Sequence, residues 1–131
     1  MDHKTYYTAL GQLVYAIAMA DGSIQTEERT KLFNFVISEI VVIHKASGLE
    51  GGALDVFDIE KEFHRLKDEN APTQLAYDNF IKFLDSNKHN FDEKLKQTCF
   101  DVMDKIALAY NGIEDSEQEM IDRIRMKIGK I

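Results

Sequence analysis

The sequence predicts an all-α fold, a compact bundle of about six or seven helices with related helix-corner-helix units at its two ends. Three observations lead there. Apolar residues recur at three- and four-residue steps through successive segments, as a helix with one buried side requires. Those segments are separated by Asp21-Gly22, by the glycine-rich stretch 46–52, by the single proline Pro72 and by Asn111-Gly112. The one run rich in β-branched residues has no second comparable run with which to pair as a strand.

Tyr7, Leu10, Val14 and Ile17, with Leu13 widening the stripe, predict an amphipathic helix over residues 5–20. Asp21-Gly22 ends it, because glycine accepts the positive φ with which chains leave helices. Thr26 then caps a second helix, whose first turn places Glu27 and Glu28 near unpaired backbone amides. That helix runs to about His44. Its segment Phe33 to Ile43 is apolar on nearly every side, which predicts the central helix of the bundle. After the glycines of 46–52, a third helix covers about 54–67 through Val56, Phe57, Ile59, Phe63 and Leu66. Pro72 breaks the chain before a fourth helix at about 74–87, with Leu75, Tyr77, Phe80, Ile81 and Leu84. Asn90 followed by Glu93 fits a capping box for a fifth helix, which Leu95, Cys99, Val102, Met103, Ile106 and Tyr110 continue. Ser116 with Glu119 opens the last helix, whose apolar side is Met120, Ile121, Ile124 and Ile128.

A chain of 131 residues with 44% hydrophobic content suits a single domain over 1–131. Its formal charge of −7 opposes a nucleic-acid backbone, so no nucleic-acid partner is expected. Arg123, Arg125, Lys127 and Lys130 cluster at the end, where a helix C-terminus favours cations anyway. No apolar run reaches the roughly 18 residues that would cross a bilayer, so no direct membrane insertion is expected. Cys99, the one cysteine, reads as a buried structural thiol in a reduced, cytoplasmic setting.

The segment Ile17 to Leu32, IAMADGSIQTEERTKL, is echoed by Ile106 to Ile121, IALAYNGIEDSEQEMI. With one residue fewer after the second glycine, Asp21-Gly22 meets Asn111-Gly112, Glu28 meets Glu117 and Leu32 meets Ile121. The chain thus carries a pseudo-repeated helix-corner-helix unit. In these two corners it resembles the TerB-like superfamily, named for a tellurite-resistance protein and also found in certain membrane-anchored DnaJ-type co-chaperones. The resemblance implies a compact all-helical domain and an association with stress response and metal sensing. It places the family's aspartate, glycine and glutamate on Asp21, Gly22 and Glu28, and in the second copy the glycine and glutamate on Gly112 and Glu117. Asn111 stands where the second aspartate is expected.

Asp21, Glu28, Asn111 and Glu117 offer oxygen donors of the kind calcium or magnesium prefers, provided the two corners meet. Neither corner has the ligand series of an EF-hand. The competing reading is structural, with the glutamates facing free amides in first helical turns. His3, His44, His64 and His89 lack zinc-ligand spacing and read as surface or cap residues. Asp55, Asp58, Glu60 and Glu62 read as a solvated helix face rather than a catalytic pair. Glu50-Gly51-Gly52-Ala53 lacks the lysine and hydroxyl of a phosphate loop. The expectation is a non-catalytic cytoplasmic module that binds another protein, without a resident cofactor. The alternative is a calcium or magnesium sensor, and homodimer formation stays open.

Overall fold

A computed structural model describes residues 3–20, 26–47, 52–91, 93–109 and 115–130 of the chain. They form six α-helices: α1 (His3–Ala20), α2 (Thr26–Ser47), α3 (Gly52–Asp68), α4 (Thr73–Asn87), α5 (Glu93–Ala109) and α6 (Asp115–Gly129). A 3₁₀ turn at Lys88–Asn90 lies between α4 and α5. No strand occurs among the described residues, and the β-branched end of α2 is helical through Ser47.

The central helix is α1, not α2 as the apolar density of Phe33 to Ile43 predicts. From Tyr6 to Ala18 every residue of α1 is buried except the half-buried Thr8. The reason is charge: Thr5 to Ala20 contains no Asp, Glu, Lys or Arg, so every side of this segment enters the interior without an ion to desolvate. The main neighbours of α1 are α3 and α4, with α6 and α2 also touching it. By contrast α2 buries one side, through Phe33, Val36, Ile37 and Ile40, and packs chiefly on α5. Its other side leaves Phe35 and Val42 in solvent.

Each outer helix contributes one stripe to the core. Ile59, Phe63 and Leu66 come from α3, Ala76, Phe80, Phe83 and Leu84 from α4, Leu95, Cys99, Val102 and Met103 from α5, and Ile121, Ile124 and Ile128 from α6. Leu75 and Phe57, which the spacing assigns to the stripes of α4 and α3, are exposed. Phe57 precedes Ile59 by two positions, about 200° around a helix, and so faces away.

Aromatic contacts fasten both ends of α1. Phe33 of α2 stacks on Phe63 of α3 with ring centroids 4.1 Å apart, and Tyr15 of α1 meets Phe63 edge-on at 5.7 Å. At the other end Tyr6 lies 6.4 Å from Phe83, which also meets Phe80 and Phe91.

The exit from α3 is set by its backbone. Asn70 takes a positive φ of 51°, its amide bonds the Lys67 carbonyl at 3.0 Å, and the Ala71 amide bonds the Leu66 carbonyl at 2.9 Å. These are the two closing bonds of a Schellman ending, with asparagine at the left-handed position and Pro72 barring continuation. Tyr15 donates to the Ala71 carbonyl at 2.7 Å, so this turn is tied to α1.

Asn90 does not cap α5. It closes the 3₁₀ turn, with the Phe91 amide bonded to the Lys88 carbonyl, and α5 begins only at Glu93. Phe91 intervenes because its ring is drawn into the core, where it is 6% exposed and meets Phe83 edge-on. The sequence spacing is right for a box, but the residue inside it is a core residue.

Candidate functional site

At Gly11 of α1 the backbone of α3 comes close. A Cβ at this position would lie 2.8 Å from the Cβ of Glu62 and 2.9 Å from the carbonyl oxygen of Ile59. Only glycine permits that separation. Lys4, Thr8, Gly11 and Gln12 follow one another at helical spacing on α1, and Asp58, Lys61, Glu62 and Arg65 do so on α3. Beside the crossing these faces line a half-open cleft of about 180 Å³, bounded by Lys4, Thr8, Asp58, Lys61, Glu62 and Arg65.

A chain of polar side chains runs into the cleft wall from the interior. Asn79 of α4 donates its amide to Gln12 Oε1 at 3.3 Å, and Gln12 Nε2 donates to Glu62 Oε2 at 3.0 Å. Glu62 Oε1 accepts from Arg65 Nε at 2.5 Å, and Arg65 Nη1 donates to Glu69 Oε2 at 3.0 Å. Gln12 is 7% exposed and Glu62 9% exposed, so the network has a buried centre, while Asn79 is half-buried and Arg65 and Glu69 at its outer end are exposed. A buried carboxylate costs several kcal/mol of desolvation unless it is fully bonded. Here both oxygens of Glu62 are engaged, and its hydrogen bond to Arg65 holds that guanidinium even more firmly protonated than usual. The consequence is a guanidinium oriented from behind by groups on three helices.

This corrects the solvated-face reading of Asp58 to Glu62. Asp58 and Glu60 are partly exposed, whereas Glu62 is buried. The signal is in the spacing: Glu62 falls on the same stripe as Ile59, Phe63 and Leu66.

The other candidates divide. Asp21 and Asn111, and the side chains of Glu28 and Glu117, lie outside the described residues. Asp55, His3 and His44 do so as side chains too. Among the described residues no group of three or more His, Cys, Asp or Glu side chains is gathered for a metal ion. His64 is exposed and meets Phe33 and Phe63 edge-on, and exposed His89 lies 3.4 Å from the Asn90 amide. Three cations of α6 are paired: Arg123 with Glu119 at 2.5 Å, Arg125 with Asp104, and Lys127 with Asp85 at 2.7 Å.

Cys99 is 3% exposed, and its Sγ lies 3.8 Å from the Tyr6 hydroxyl. Burial pushes the thiol from its ordinary value of 9.0 up to about 12, against a smaller opposing pull from the Tyr6 hydrogen bond. Burial also raises Tyr6 well above its ordinary value. At pH 8 the native thiol is therefore expected to react with an aromatic disulfide reagent at least about a hundredfold more slowly than in denaturant, because the thiolate is the nucleophile. Above pH 9 the unfolded chain releases this proton and the folded one retains it. Stability thus falls as pH rises, by about 1 kcal/mol between pH 9 and pH 10, as the unfolded thiol goes from half to almost fully ionised. Denaturation curves at the two pH values, repeated with Cys99→Ala, isolate that part. Fast labelling in the native state would contradict the burial.

The described residues form an all-α bundle with a groove between α1 and α3 lined by polar side chains. Comparison of the chain with protein-family models, with curated proteins and with solved structures finds no match in any of the three. Among the described residues, no helix is long and apolar enough to cross a membrane.

Proposed function

We propose that the chain is a non-catalytic helical module that binds another protein, and that it serves a cytoplasmic stress response of the kind its TerB-like corners suggest. The observation that carries the binding reading is the outer side of α2. Phe35 is 43% exposed and Val42 61% exposed, and seven residues of helix bring them to the same side. Ser38 between them donates its hydroxyl to the Asn34 carbonyl at 3.1 Å, so this polar group is turned into its own helix. An aromatic and a branched side chain on one solvent-facing stripe give an apolar partner helix two anchors two turns apart.

A photo-crosslinking amino acid at Ser38, introduced into the protein in cells, tests this. The expected product is one discrete adduct that disappears when Phe35→Asp is added. The mass of the adduct separates a second copy of this chain from a different protein. If position 38 gives only the diffuse background obtained from exposed Asp122 on α6, the stripe is not a binding surface.

A further inference from the structure

We propose that the cleft between α1 and α3 binds a small carboxylate carrying a hydrogen-bond donor beside the carboxyl group, an α-hydroxy or α-amino acid. The inference starts from which polar atoms are already used. Both oxygens of Glu62 accept bonds inside the protein, from Gln12 and Arg65. Arg65 commits Nε to Glu62 and Nη1 to Glu69, which leaves Nη2 as its remaining nitrogen. Lys4 and Lys61 line the same cleft and enter no ion pair with any described residue, and Thr8 adds a hydroxyl. Against these donors the cleft sets the Asp58 carboxylate, which bonds to no described residue.

Such a donor excess suits an anion rich in acceptors. Charge narrows the class. Lys4, Lys61 and Arg65 against Asp58, Glu62 and Glu69 sum to zero, so the cleft takes a zwitterion or a single carboxylate at less electrostatic cost than a phosphate dianion. Asp58 then selects within the carboxylates, since a hydroxyl or ammonium next to the carboxyl group gives it a donor. The volume of about 180 Å³ is below the roughly 300–1,000 Å³ of pockets for drug-sized ligands, which limits the ligand to a small molecule.

The polar chain behind the wall supports the same conclusion. Gln12 and Glu62 occupy buried positions on two helices, where apolar side chains of similar volume would pack at no greater cost, and half-buried Asn79 of a third helix bonds to Gln12. Their joint effect is to fix the Arg65 guanidinium on the cleft, and rigid support of this kind is what a binding site needs from its surroundings.

The experiment is a titration of isotopically labelled protein followed by amide chemical shifts. The probes are sodium lactate, glycine, sodium acetate and inorganic phosphate, with sodium chloride at equal ionic strength as reference. Lactate and glycine are expected to move the amides of Thr8, Asp58, Lys61 and Arg65 along saturable curves, acetate more weakly, and chloride without saturation. Lys61→Met should weaken lactate binding by about tenfold, as loss of a charged hydrogen bond does, while Lys88→Met outside the cleft leaves it unchanged. Asp58→Asn should reduce the preference for lactate over acetate. Lys61 and Lys88 are exposed and Asp58 is half-buried, so these variants are expected to retain the fold. Shifts that match chloride, or lactate binding as tight in Lys61→Met as in the parent protein, overturn the proposal, and tighter binding of phosphate than of lactate overturns its ligand class.

Discussion

Gly11→Ala is expected to destabilise the protein by about 1–3 kcal/mol, although alanine is the better helix former by about 1 kcal/mol. The added methyl group would stand 2.9 Å from the carbonyl oxygen of Ile59, which is backbone and cannot rotate aside, and 2.8 Å from the Cβ of Glu62. The only relief is for α1 and α3 to move apart along their whole contact. That movement loosens the packing of α1 on its largest neighbour and lengthens the bond from Gln12 to Glu62. Gly129 is the internal control, since nothing lies within 4 Å of a Cβ built there. Gly129→Ala should be neutral or gain a few tenths of a kcal/mol from propensity alone. Urea denaturation followed by circular dichroism measures both. If Gly11→Ala is as stable as the parent protein, α1 and α3 do not cross at Gly11.

The helices were legible because their limits are written in residues that act locally. Pro72 cannot donate a helical hydrogen bond and stands immediately before α4, whereas the connection expected over 46–52 is narrower, since α2 runs through Ser47 and α3 opens at Gly52. Which helix sits in the middle does require it. Phe35 and Val42 look as apolar as Phe33 and Ile40 in a string of letters, and only the presence of a neighbour distinguishes them. The absence of charge from Thr5 to Ala20 was the better sign, because a charged side chain resists burial more strongly than an apolar one resists exposure. Asn90 shows the converse limit, since its spacing from Glu93 satisfied a local rule that burial of Phe91 overrode.

The cleft was legible in part. Gln12 was the anomaly within an otherwise apolar helix interior, and Glu62 stood on the buried stripe of α3. Neither residue alone announced its partner, because Gln12, Glu62 and Asn79 are joined only after three helices pack. The four oxygen donors at the repeated corners were conspicuous in the sequence, but Asp21 and Asn111 and the side chains of Glu28 and Glu117 lie outside the described residues. The cleft comes instead from positions whose chemistry is unremarkable until α1 and α3 are placed side by side.

Phe63→Ala is expected to cost more than any other single truncation considered for this protein, about 3–5 kcal/mol against the 5–15 kcal/mol typical of a domain's whole stability. Phe63 is 5% exposed and lies where three helices meet, stacked on Phe33 of α2 and edge-on to Tyr15 of α1. Its removal leaves a cavity walled by two rings and two helices already fixed by other contacts, so collapse recovers little of the loss. Phe57→Ala on the same helix removes an identical ring that is 66% exposed, and should change stability by no more than about 0.5 kcal/mol. The contrast tests burial at constant chemistry. A double-mutant cycle with Phe33→Ala should return a coupling of about 1 kcal/mol, the part due to the pair rather than to either ring alone. The expected signature in denaturant is a lower midpoint with an unchanged slope. A Phe63→Ala variant no less stable than Phe57→Ala would mean that α2 does not pack on α3 through these rings, and the ordering of helices around α1 would have to be redrawn.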